Sequence, residues 1–147
     1  MKNILLILAL ALGLTTYAQN DNHERIKALK VSFLTEELEL TPAEAEKFWP
    51  IYNIYDAKMN SLRDRERNLF KEKYSTSGSK NKFSEADANK LIKEYNDIIE
   101  MRYALDSKLM GDLTKKLPAS KMVFLPEVEH KFGKKLWEEY RKRNKSN

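Results

Sequence analysis

The residues from Leu40 to Tyr52, Leu-Thr-Pro-Ala-Glu-Ala-Glu-Lys-Phe-Trp-Pro-Ile-Tyr, start a helix and then interrupt it. The Thr41 hydroxyl can accept a hydrogen bond from a first-turn N–H that has no helical partner. Pro42 follows at the first helical position, where its missing N–H costs nothing. Glu44 stands three residues after the cap and can close a capping box. Beyond it Phe48, Tyr52, Tyr55, Met59 and Leu62 recur at spacings of four and three, which is one helix face. Pro50 lies inside that run, where it removes a hydrogen bond and crowds the carbonyl of Glu46. The spacing therefore predicts a bend of more than about 20° between Glu46 and Pro50. A short helix, a break and a second helix is the alternative.

The rest of the chain follows the same period. Ile26, Leu29, Phe33, Leu34 and Leu38 make a stripe for a first helix from His23 to about Leu38. The second helix runs from Pro42 to about Tyr74, with six polar residues in a row from Arg63 to Asn68. Residues 75–82 are rich in turn formers and hold no apolar side chain, so they read as a loop. Ser84, with Asp87 three residues on, caps a third helix faced by Leu91, Tyr95, Ile98, Leu105, Leu109 and Leu113. Arg102 interrupts that face and is expected to snorkel to its edge or to pair with a carboxylate. A fourth helix restarts at about Ala119 and carries Met122, Leu125, Val128, Phe132, Leu136 and Tyr140, with Pro126 inside it.

No stretch alternates as a strand would, and the chain holds only four glycines and four prolines. The expected fold is all-α: an elongated antiparallel four-helix arrangement with a long central hairpin, bent at Pro50 and Pro126. Folding the chain near residue 80 sets Tyr55 by Leu105, Leu62 by Ile98, and Leu69 and Phe70 by Leu91 and Ile92. Some of this pairing has coiled-coil character. There is no cysteine, so stability must come from packed apolar stripes.

The N-terminus reads as an export signal. Met1-Lys2-Asn3 precedes an apolar run from Ile4 to Leu14, and Thr16-Tyr17-Ala18 offers small residues for cleavage between Ala18 and Gln19. The run is too short to span a bilayer, which takes about 20 residues. Residues 1–18 are thus read as a signal peptide and 19–147 as a single helical domain of a periplasmic protein. The mature part keeps 26 basic and 22 acidic residues. Its whole positive excess lies between Lys131 and Lys145, where seven basic residues stand with two acidic ones.

Leu40-Thr41-Pro42-Ala43-Glu44 has a counterpart in Leu117-Pro118-Ala119-Ser120-Lys121. On these two stretches the chain resembles the Spy/CpxP-like family of periplasmic stress proteins, which carry two Leu-Thr-x-x-Gln motifs that each open a helix. Here Glu44 stands in the first Gln place, while Pro118 and Lys121 replace Thr and Gln in the second. The Leu-Thr-Pro-x-Glu-Ala…Phe-Trp-Pro-x-Tyr run and the Leu-Pro-Ala-Ser-Lys run are similar to those of small secreted proteins labelled "sensor of ECF-type sigma factor". The resemblance implies an elongated four-helix subunit, often a homodimer, that binds partly unfolded clients or a membrane sensor on a concave side.

The chemistry on view is that of a binding protein. There is no Gly-rich phosphate loop and no nucleophile–base motif, so no enzyme and no cofactor is expected. His23 and His130 have carboxylates nearby, but two ligands at helical spacing fall short of the three or four that a zinc site needs. The aromatic and apolar group Phe48, Trp49, Ile51, Tyr52, Ile54 and Tyr55 is wider than one helix seam, and an exposed apolar patch rimmed by charge marks an interaction surface. It is the expected client- or partner-binding face of a chaperone-like or envelope-stress-sensing protein. A regulatory partner of a membrane sensor or anti-sigma protein, or a metal sensor, is the alternative. The basic, aromatic tail reads as a solvated helix end whose cations complement the helix dipole. Export argues against a nucleic-acid partner, and contact with a membrane surface is not the expectation.

Overall fold

The computed structural model describes residues 24–77 and 84–145, with side chains described over 24–71 and 84–142. The expected cleavage at Ala18–Gln19 and the residue His23 lie outside that range. Helix α1 covers 24–37. It is followed by α2 (Pro42–Ser77), α3 (Glu85–Thr114), the single turn α4 (Ala119–Met122) and α5 (Leu125–Lys145). The fold is all-α, with no strand among the described residues. The chain divides into two compact units, Thr41–Met122 and the pair of segments Met1–Leu40 and Val123–Asn147.

The first of these units is built on the α2–α3 hairpin. Both helix starts obey their caps. The backbone N–H of Glu44 donates to Thr41 Oγ1 at 3.3 Å, and the backbone N–H of Thr41 donates to Glu44 Oε2 at 2.8 Å. The capping box is therefore closed in both directions. At α3 the Asp87 N–H donates to Ser84 Oγ at 3.1 Å. The two helices run antiparallel, as the periodicity predicts. Tyr55 Oη donates to Asp106 Oδ1 at 2.7 Å, and the Phe70 and Tyr95 rings meet edge-on at 5.5 Å. Arg102 takes the carboxylate option, with its guanidinium 2.8 Å from Glu66 Oε2. The pairing follows a fold near residue 80 closely: Tyr55 bonds Asp106, next to the expected Leu105, and Phe70 meets Tyr95, three residues beyond Ile92. Leu109, Leu113, Leu117 and Met122 are buried toward the end of the unit.

Two details of the proline expectations are corrected. α2 passes through Pro50 as one continuous helix, so the alternative of a break there does not hold. Pro50 is exposed, and its ring fills no core space. Pro126, in contrast, does not sit inside a long fourth helix. The helix expected from Ala119 onward stops at Met122, turns at Val123 and Phe124, and restarts at Leu125. The Phe124 carbonyl accepts the first α5 bond, from the Val128 N–H at 3.0 Å. Pro126 thus falls in the first turn, among N–H groups that have no helical acceptor, and the interruption there is a new helix start.

The second unit joins α1 to α5. Phe33 and Phe132 pack with ring centroids 5.6 Å apart. Lys135 Nζ lies 4.9 Å over the Phe33 ring, and Lys131 Nζ is 3.4 Å from Glu37 Oε2. Partners on α5 fall in number as those on α1 rise, so this pair is also antiparallel. Leu34, Leu38, Leu40, Leu125, Val128 and Phe132 are buried. α1 ends on a Schellman motif. The Leu40 N–H donates to the Thr35 carbonyl and the Glu39 N–H to the Glu36 carbonyl, each at 3.0 Å, with Glu39 left-handed at φ 48°.

Candidate binding face

The aromatic run of α2 divides along the helix. Phe48, Tyr52 and Tyr55 are buried, while Trp49 and Ile51 are half-buried and Ile54 is 61% exposed. The inner rings set the outer one. Phe48 and Tyr52 stack at 5.1 Å and 15°. Trp49 stands edge-on to both, 5.0 Å from Phe48 and 5.5 Å from Tyr52. Edge-to-face geometry of this kind is a favoured aromatic arrangement and fixes the indole's orientation. Of the six residues singled out in the sequence, three therefore belong to the core. Trp49, Ile51 and Ile54 are the ones left with surface to offer.

Ile51 and Ile54 share one side of α2 with Lys47 and Lys58, at spacings of four, three and four. The cations rim the apolar pair. On α3, Ile92, Ile99 and Tyr103 recur at seven and four and are all exposed. The seven-residue spacing of Ile92 and Ile99 is the signal for this second line, beside the inward stripe of α3.

The two helix-start motifs meet. Lys121 Nζ lies 2.7 Å from Glu44 Oε2, so the residues in the two Gln places form an ion pair within one unit. Glu44 thus holds three hydrogen-bonding groups at once: the Lys121 ammonium, the Thr41 N–H and, through its own N–H, the Thr41 hydroxyl. The Lys121 hydrogen bond first, and the Thr41 backbone N–H second, lower its pKa from 4.5 to about 2, against a smaller upward push from partial desolvation. The second motif keeps the form of the first without its hydroxyl. The Pro118 carbonyl accepts from the Met122 N–H at 3.2 Å, as the Thr41 carbonyl accepts from Ala45 at 2.8 Å. Leu40 and Leu117 are both buried ahead of their helix starts, each within its own unit.

Among the described residues no three His, Cys, Asp or Glu side chains converge as a metal site, and His130 is exposed. No described helix is long and apolar enough to cross a membrane. Comparison with protein-family models, with curated proteins and with solved structures finds no match.

Proposed function

We propose that the chain is an exported periplasmic binding protein, without enzymatic activity, that holds partly unfolded envelope proteins on the apolar side of α2. The observation that carries this reading is the split of the aromatic run: Phe48, Tyr52 and Tyr55 are buried, while Trp49 on one flank of that stripe and Ile51 and Ile54 on the other keep accessible surface. Exposed apolar groups on a rigid element, rimmed by Lys47 and Lys58, suit brief capture of many apolar segments. Surface charge speeds the encounter without selecting one partner. The likeness of the two helix starts to those of Spy/CpxP-like proteins supports the same class of role.

The test is suppression of aggregation of a chemically denatured client at increasing ratios of this protein. Trp49→Ala with Ile51→Ala is expected to lower suppression severalfold, and Ile54→Ala to lower it further, with helicity retained by circular dichroism. Suppression unchanged in the folded triple variant removes α2 as the client site.

A further inference from the structure

Helix α5 has a second face that the packing of its unit does not use. Its inward face is Leu125, Val128 and Phe132, all buried. On the opposite side His130, Lys134, Trp137 and Arg141 follow one another at spacings of four, three and four. Trp137 is 60% exposed and Tyr140 55% exposed, and their rings stack on each other at 5.9 Å and 24°. A Cβ built on Gly133, one turn before Trp137, meets nothing within 4 Å, so this side of the helix is open. Lys134 and Arg141 form no ion pair with a described residue, whereas Lys131 and Lys142 pair with Glu37 and Glu139.

A solvated helix end accounts for the cations but not for two large rings held in water beside them. We propose that the face of α5 bearing Lys134, Trp137, Tyr140 and Arg141 lies on an anionic lipid surface. Indole and phenol rings settle at the headgroup level of a bilayer, and an amphipathic helix with cations beside them binds in the interfacial plane. Each cation near such a surface adds about a fivefold gain in binding. Glu139 falls off this side, whereas Glu138 stands four residues after Lys134 and three before Arg141; the complementarity to acidic headgroups rests on the excess of seven basic over two acidic residues between Lys131 and Lys145. Single-stranded nucleic acid fits less well. The export signal read at the N-terminus takes the chain away from that partner. This proposal does not depend on the α2 face.

The experiment uses the full chain with Trp49→Phe, so that Trp137 is the sole indole. Its emission is followed on titration with vesicles of equal phosphatidylglycerol and phosphatidylcholine, and with vesicles of phosphatidylcholine alone. A blue shift is expected on the anionic vesicles, at lipid concentrations at least tenfold below any effect of the neutral ones. It should weaken with added salt and disappear in Lys134→Glu/Arg141→Glu. The chain retaining Trp49 serves as a second arm, in which Trp137→Phe must abolish the shift if Trp49→Phe disturbs folding. An absent shift, an equal shift on neutral vesicles, or a shift indifferent to the charge reversal overturns the proposal. So does a charge-dependent quench by single-stranded oligonucleotide where anionic vesicles have no effect.

Discussion

Glu44 and Lys121, 77 residues apart in the chain, hold each other at 2.7 Å. They occupy the same place in two related helix starts, so a local capping signal at one start is tied to a distant turn at the other. The carboxylate closes the Thr41 cap and receives the ammonium with one oxygen, Oε2.

That arrangement makes a pH prediction. The folded-state pKa of Glu44 is lowered from 4.5 to about 2, so its contribution is complete above pH 4.5 and is lost as pH falls through 2. Glu44→Gln should melt at a lower temperature than the wild type at pH 6, with the gap closing toward pH 2. Thermal melts followed by circular dichroism across that range decide it. A gap that stays constant with pH removes the clasp as its cause.

The division of the α2 face predicts opposite costs for neighbouring substitutions. Phe48→Ala deletes a fully buried ring and should cost about 3–5 kcal/mol of stability. Ile54→Ala removes mostly exposed surface and should stay within about 0.5 kcal/mol. Urea unfolding of both variants checks this, and a large loss at Ile54 would place it in the core instead.

Pro50 is exposed inside a continuous helix and denies Glu46 one hydrogen bond. Pro50→Ala restores that donor and sacrifices no buried ring. It should stabilise the protein by up to about 3 kcal/mol, the difference between the two residues in a helix interior. Combined with the aggregation assay, it also separates helix stability from client capture. A more stable protein that captures less would show that the proline serves binding.

Glu39 carries a left-handed backbone at φ 48° at the C-terminal stop of α1. A side chain there costs about 1–2 kcal/mol, and glycine avoids it at some cost in unfolded-state entropy. Glu39→Gly should raise stability by up to about 1 kcal/mol in the same urea titration. A loss would mean that the Glu39 side chain contributes more than its backbone costs.

What could be read beforehand follows from distance along the chain. Thr41 and Ser84 announce their caps because the bonding groups lie within three residues. Arg102 on the α3 face leaves two outcomes, snorkelling to the edge or a carboxylate partner, and nothing local names Glu66. The register of the hairpin has no local signal finer than the apolar period, and Phe70 meets Tyr95, three residues beyond Ile92. Pro126 reads as interior to a helix because Met122, Leu125 and Val128 keep one apolar period across the turn at Val123 and Phe124. Both side chains are in fact exposed, and the backbone turns there. The Glu44–Lys121 pair was out of reach, since each residue looked sufficient as a helix-start residue by itself. Which of the α2 aromatics face inward was legible only as a breadth of pattern. Trp49 owes its position to two rings that its own spacing does not reveal.

The unit built from α1 and α5 sets an order of events. Its Glu37–Lys131 contact spans 94 residues, against 36 for Glu66–Arg102 in the hairpin. The longer closure costs less than about 1 kcal/mol more in chain entropy. Time is the larger difference. As the polypeptide emerges, Phe33 and Leu34 must wait for residues around Phe132 to be made, while α2 and α3 can already pair. During that interval the Phe33–Leu34 stripe lacks the α5 side chains that cover it in the finished unit.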